Sequence, residues 1–163
     1  MNKKVFVTFA NTGFMKPDRV IREATEFGAF DEVRAMTEHN IPEFISKHSD
    51  FIKLNPYGYG LFIWKPKVVL DTLNSLSDND ILVYSDAGGS LNKNGLERFN
   101  EYLDILKKVD MIAFSTNDSY RSKHFVKADA VMSYCPEMNE SSMTSCYAGI
   151  MMIKKTDASI RLM

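Results

Sequence analysis

The stretch DILVYSDAGGS, Asp80 to Ser90, decides how the rest of the chain is read. Ile81 to Ser85 is a short apolar and β-branched run, with Asp78-Asn79-Asp80 before it and Asp86-Ala87-Gly88-Gly89 after it. A run of that length between turn residues predicts a strand buried on both faces, as in sheets covered by helices on both sides. Ligands of open α/β sheets bind just beyond the carboxyl ends of the strands, and Asp86 falls at such an end. Gly88 and Gly89 let a bulky ligand approach the backbone closely. An aspartate there either holds a hydrated divalent cation that neutralises a diphosphate, or bonds a sugar hydroxyl directly. The plain alternative is that Asp86 only caps a turn, as aspartates commonly do.

The flanking sequence supplies the other layers. Val5 to Ala10 is a second doubly buried strand, punctuated by Asn11-Thr12-Gly13. Pro17-Asp18 opens a helix with Val20, Ile21, Ala24 and Phe27 on one side and Gly28 as its stop. Val33 to Thr37 reads as a short strand. Asn40-Ile41-Pro42-Glu43 reads as a cap for one helix with the apolar face Phe44, Ile45, His48, Phe51 and Ile52, in which His48 is a packed histidine. Asn55 to Gly60 is a turn-rich loop, and a helix from Lys65, with Pro66 in its first turn, carries Val68, Val69, Thr72, Leu73 and Leu76. After the central strand come an amphipathic helix facing inward through Leu96, Phe99, Leu103 and Leu106, a strand at Met111 to Phe114 and a helix within Ser122 to Tyr134. A last strand at Cys146 to Ile153 and a helix opening at Thr156-Asp157-Ala158-Ser159 complete the order. Strands alternating with helices predict an α/β fold: a mostly parallel sheet with helices on both faces, in a single domain over residues 1–163.

Composition removes several function classes. With 45% hydrophobic and 25% charged residues the chain reads as an ordinary globular protein, and its formal net charge of −1 gives no basic field for nucleic acid. Cys135 and Cys146 are too few for a disulfide framework and lack zinc spacing, and His39, His48 and His124 share no metal-ligand spacing. No stretch is long and apolar enough for a signal peptide or a membrane span. The expectation is a cytoplasmic protein with no transmembrane segment, free to associate peripherally with the inner face of a membrane. Ala10-Asn11-Thr12-Gly13 is no dinucleotide fingerprint, and no P-loop is present.

Ahead of the central strand, Tyr57-Gly58-Tyr59-Gly60-Leu61-Phe62-Ile63-Trp64-Lys65-Pro66-Lys67 combines aromatics, two glycines and two lysines. Glycines bring backbone N–H groups to a ligand, a helix N-terminus favours an anion, and a lysine adds a point charge. Tyr59 and Trp64 could stack on a base or sugar face. Core packing explains Trp64 equally well.

These two blocks together resemble a bacterial and viral family of glycosyltransferases that carries a GYGYWxWKPxxI block followed by a D-x-D-x-x-x-Y-x-D-A-G strand. The family is related to the nucleotide-diphospho-sugar transferases of the glycosyltransferase-A, Rossmann-like fold. Asp78-Asn79-Asp80 and Tyr84-Ser85-Asp86-Ala87-Gly88 follow the pattern. Phe125-Val126-Lys127-Ala128-Asp129 is similar to its W-T-K-R-D block, and Tyr147 to Lys155 to its A-G-x-x-x-x-K-K strand. The match departs in three places. Asp86 has no acid two residues on, Ser145 stands where glutamine is expected, and the chain stops before an H-R-x-D-Q-S-like segment, as if lacking the family's C-terminal part.

The resemblance implies transfer of a sugar from a nucleotide-diphosphate donor to a glycan or lipid-linked acceptor, in capsular polysaccharide or lipopolysaccharide synthesis. It places the donor against Thr8, Ala10, Asn11, Tyr59, Trp64, Lys65, Tyr84, Ser85, Ala87, Gly88 and Lys127. Asp86, a candidate catalytic residue, serves at the ribose or the diphosphate, alone or through Mn²⁺ or Mg²⁺, and Asp129 is the candidate general base. The opposing expectation is a shortened, non-catalytic remnant that binds only nucleotide or a partner.

Overall fold

The computed structural model describes residues 2–14, 16–115, 133 and 146–163. The chain clusters into two compact units, residues 1–112 with 149–163 and residues 113–148. The first is an α/β layer structure. Strands β1 (Lys4–Phe9), β2 (Glu32–Met36), β3 (Ile81–Ser85), β4 (Met111–Ser115) and β5 (Cys146–Lys154) form one sheet in the order β2-β1-β3-β5-β4.

β1 runs parallel to both β2 and β3, with Val7 opposite Arg34 on one side and Tyr84 on the other. β5 runs antiparallel to β3, pairing Ile81 with Lys154 and Ser85 with Ile150. The sheet is therefore mixed, with a parallel centre. An apolar run carries no mark of its direction, which is why the reversal of β5 is invisible in its residues.

Alternation along β1 and β3 divides the core into two layers. Val5, Val7, Phe9, Leu82 and Tyr84 face a cluster with Trp64, Val68, Val69 and Leu73 of α5 (Trp64–Asn74). Phe6, Ile81 and Val83 face Val20 and Ala24 of α1 (Asp18–Phe27) and Phe99 and Leu106 of α6 (Leu96–Leu106). Helices thus cover both faces, and each fully buried Val, Leu or Phe contributes about 1.5–3 kcal/mol. α1 ends on Gly28 at φ 72°, as its position predicts. Leu96, expected on the inner face of α6, is 43% exposed, because it is the first residue of that helix and lies beyond the core.

The expected single helix after Pro42 is two: α2 (Pro42–Lys47) and α3 (Ser49–Leu54), broken at His48. His48 is half-buried and lies 4.4 Å from the Phe44 ring, at the joint and not in a continuous apolar stripe. The side-chain cap also falls earlier, where Thr37 and Asn40 close a capping box over residues 38–40. The last helix, α7 (Asp157–Leu162), opens on a capping box in which Ser159 N–H donates to Thr156 Oγ1 at 3.1 Å.

Between α3 and α5 the chain takes a turn of unusual hand. Gly58, Tyr59, Gly60, Leu61 and Phe62 have φ of 59°, 54°, 85°, 52° and 63°, so five consecutive residues are left-handed. The short element α4 (Gly58–Leu61) lies inside this run. Left-handed backbone costs a residue with a side chain about 1–2 kcal/mol, which applies here to Tyr59, Leu61 and Phe62. Local hydrogen bonds hold the turn in place. Leu61 N–H donates to Tyr57 C=O at 2.9 Å, Phe62 N–H to Gly58 C=O at 3.1 Å, and the Trp64 indole N–H to Gly58 C=O at 3.0 Å. A methyl at Gly58 would meet the Phe62 ring at 2.6 Å, and one at Gly60 would meet Ile52 Cγ1 at 2.7 Å.

Candidate functional site

The strand order 2-1-3 makes the gap between β1 and β3 the point where successive connections leave to opposite sides, and crevices of α/β sheets open there. Asn11 follows β1 at this point and Asp86 follows β3. Tyr84 and Asp86, two residues apart, point to the α5 side, where Lys65 stands in the first turn of that helix.

The three side chains converge. The Tyr84 hydroxyl donates to Asp86 Oδ1 at 2.6 Å, and Lys65 Nζ lies 2.8 Å from the same oxygen. Tyr84 is fully buried, the Lys65 side chain is 12% exposed and that of Asp86 is 34% exposed. Lys65 Nζ also sits over three rings, 5.3 Å from Phe62, 5.9 Å from Trp64 and 5.2 Å from Tyr84. Aromatic faces attract a cation, so the ammonium is held by a carboxylate and by π-electron density together. The left-handed turn is what brings Phe62 to this place.

The turn after Asp86 is braced from the other face of the sheet. Arg19 on α1 donates through Nη2 to the carbonyls of Gly88, at 3.2 Å, and Gly89, at 2.8 Å. One helical turn on, Glu23 accepts from Leu91 N–H at 2.9 Å and from Ser90 Oγ at 3.0 Å. The Leu91 N–H and then Arg19 lower the pKa of Glu23 below the usual carboxylate value. The Arg-to-Glu spacing of four was open to view in the sequence, but its targets, some seventy residues away, were not.

A second carboxylate lies across the crevice. Glu38, just beyond β2, accepts from the backbone N–H and hydroxyl of Thr12 in the turn after β1. Burial pushes its pKa up, but the Thr12 hydroxyl, with backbone N–H donors, outweighs this and leaves it lowered. Burial, with a contribution from Glu38, raises the Tyr59 phenol. Glu38 went unnoticed in the sequence because a glutamate after a short strand carries no distinguishing pattern.

The structure sorts the sequence-predicted residues into two groups. Asn11, Tyr59, Asp86 and Gly88 reach the surface at the carboxyl edge, with Lys65 just behind Asp86. Thr8, Ala10, Trp64, Tyr84, Ser85 and Ala87 are buried and act as its support. Trp64, at 5% exposure, stacks on Phe9 at 4.0 Å and presents no open face for a base or sugar. Gly88 has open space where a side chain would stand. A methyl on Gly89 would strike Ser85 Oγ and approach Asp86 C=O at 2.9 Å, so that glycine serves packing. Thr8 Oγ1 is buried with no hydrogen-bond partner among the described residues. Lys127 and Asp129, with the helix expected at Ser122 to Tyr134, lie outside the described residues.

Asp78-Asn79-Asp80 stands at the amino end of β3, with Asp80 about 20 Å from Asp86 along an extended chain. Asp80 accepts from Lys3 N–H at 2.8 Å and Ser77 N–H at 3.0 Å. Lys154 and Lys155 lie at the same remote end, near Asp110 and Asp78, because β5 is antiparallel. At Asp86 the fit to Mn²⁺ or Mg²⁺ is poor. One carboxylate is already paired with Lys65, and no three His, Cys, Asp or Glu side chains converge among the described residues.

A depression of about 390 Å³ lies elsewhere, along the outer edge of β2, lined by Arg34, Met36, Asn40, Asp71, Thr72 and Ser75. Its one guanidinium is committed to Glu32 at 2.5 Å and Ser75 at 2.7 Å, so it offers little chemistry. Among the described residues no helix is long and apolar enough to cross a membrane. No protein-family model, curated protein or solved structure matches the chain.

Proposed function

We propose that the chain is a glycosyltransferase that takes a sugar from a nucleotide-diphosphate donor to a glycan or lipid-linked acceptor in surface polysaccharide synthesis. The observation that carries the reading is the Tyr84-Asp86-Lys65 cluster beyond β3, at the crevice between β1 and β3. In this reading the donor lies over the turn after β1, near Asn11 and Tyr59. Asp86 accepts from a donor hydroxyl, and Gly88, with no side chain, lets the sugar lie against the backbone. Transfer requires a stabilised diphosphate leaving group, and Lys65 is the described cation best placed for it. Asp129 is the proposed base toward the acceptor hydroxyl.

The single, already paired carboxylate supports a second reading, a nucleotide-sugar-binding protein without transfer activity. Titration calorimetry with UDP-, GDP- and dTDP-sugars tests the shared premise, and an unchanged affinity in Asp86→Asn would sink it. Donor hydrolysis or transfer on the same panel then separates enzyme from binding protein, with Asp129→Asn expected to remove turnover but keep binding.

A further inference from the structure

We infer that the Lys65 ammonium is the resident cation of this site, standing on Asp86 where a divalent metal ion would otherwise stand, so that ligand binding at the turn is metal-independent. The consequence for ligand binding rests on the sugar-nucleotide reading; the premise rests on geometry alone.

Lys65 Nζ lies 2.8 Å from Asp86 Oδ1, and the Tyr84 hydroxyl occupies another direction of approach to the same atom at 2.6 Å. The rings of Phe62, Trp64 and Tyr84 each have their centroid within 6 Å of Nζ and stand beside the ammonium. Rings at that distance favour one kind of cation. Aromatic faces stabilise a singly charged ammonium that has little need of lone pairs. Mg²⁺ demands an octahedron of oxygens and Ca²⁺ takes six to eight, whereas aromatic rings provide none and no three carboxylate, histidine or cysteine side chains converge among the described residues.

The rings are also fixed in place. Trp64 is pinned by its N–H bond to Gly58 and by its stack on Phe9. Phe62 is set by the left-handed turn, and Tyr84 lies within β3. Removing the lysine stem should therefore leave a preformed ammonium receptor, not a metal site.

Lys65→Ala deletes a propylammonium-sized group, which makes propylammonium the probe and 1-propanol its neutral control. The expected result is a thermal midpoint of Lys65→Ala that rises with propylammonium, does not rise with 1-propanol, and is unmoved by propylammonium in wild type. Fluorescence of the single tryptophan, Trp64, should report the same binding, since its ring borders the vacated space. In wild type, Mn²⁺ titrated into the protein alone should give no saturable heat. Nucleotide-sugar affinity should agree within about twofold between EDTA and Mn²⁺, and should fall about 10- to 100-fold in Lys65→Ala with partial recovery on adding propylammonium.

Saturable Mn²⁺ binding by wild type that Asp86→Asn abolishes would overturn the inference, as would an equal response of Lys65→Ala to amine and alcohol or no response to either. If Lys65→Ala does not fold, Lys65→Met keeps the stem without the charge, and undiminished donor affinity in that variant has the same force. Should wild type bind no nucleotide sugar while propylammonium still restores Lys65→Ala, the glycosyltransferase reading falls and the resident cation stands.

Discussion

The two aspartates that bracket β3 belong to the same short strand and have opposite employments. Asp80, at the amino end, is nearly buried and gives both carboxylate oxygens to backbone N–H groups of Lys3 and Ser77. Asp86, at the carboxyl end, accepts from side chains, Tyr84 and Lys65, and keeps a third of its own surface in solvent. A carboxylate bound to backbone amides ties segments together and has little left for a ligand. One held by side chains at a strand end is oriented without being sealed. The two aspartates look alike in sequence, each beside a turn, so their chemistry has to be read from their partners.

The comparison can be broken most directly at Asp80. Asp80→Ala removes the acceptor of two part-buried backbone N–H groups and should cost about 1–3 kcal/mol in urea denaturation, while any nucleotide-sugar affinity of the folded protein stays unchanged. A variant as stable as wild type would remove the structural half of the contrast. Asp86→Asn is expected to reverse the pattern. On the proposed function, nucleotide-sugar affinity should drop about 10- to 100-fold, equivalent to about 1.4–2.7 kcal/mol, with a smaller loss of stability. If calorimetry finds the stability loss larger than that of Asp80→Ala, the two roles are wrongly divided.

The glycines beside Asp86 sharpen the contrast further. Gly89→Ala drives a methyl toward the Asp86 carbonyl and should cost about 1–2 kcal/mol, whereas Gly88→Ala meets nothing and should leave stability within about 0.5 kcal/mol. Equal midpoints for the two would contradict the packing described.

The smallest effects belong to acid pH. Glu32, hydrogen-bonded first by Arg34 and then by Lys3, has its pKa lowered from 4.5 to about 2, and Glu23 is lowered by Leu91 and Arg19. Their folded values lie below the unfolded ones, so the stability they contribute is complete above the unfolded value and is lost as pH falls through the folded one. For Glu32 the window runs from about 4.5 down to about 2, and solvent screening keeps its share to about 1 kcal/mol or less. Glu23→Gln should flatten its own part of that profile, and amide exchange at Leu91 should report release of the turn.

Much of this architecture is legible in local pattern. β1 and β3 are apolar runs between turn residues, and Gly28 and Pro42 mark helix ends by backbone constraint alone. Asp86 was visible as a strand-end carboxylate, and Lys65 as a lysine at a helix start. Their contact was not visible, since it depends on Tyr84 and Asp86 sharing the face that α5 covers. The direction of β5 was hidden for the same reason, since it is decided by pairing with β3, distant in sequence. Trp64 was ambiguous as long as Phe9 and Gly58, which claim its ring and its N–H, were unknown.

The left-handed residues 58–62 carry one more consequence. Immediately ahead of α5 the backbone has the opposite hand, with Phe62 at φ 63° and Ile63 at φ −59°. A right-handed helix lengthens only by adding residues of its own hand, so Phe62 acts as a chiral stop on α5. The helix is denied growth toward its N-terminus, and Lys65 is kept in its opening turn instead of slipping into its middle. A change of handedness thus does the indexing that a capping side chain performs elsewhere, and it sets which lysine of the block meets Asp86.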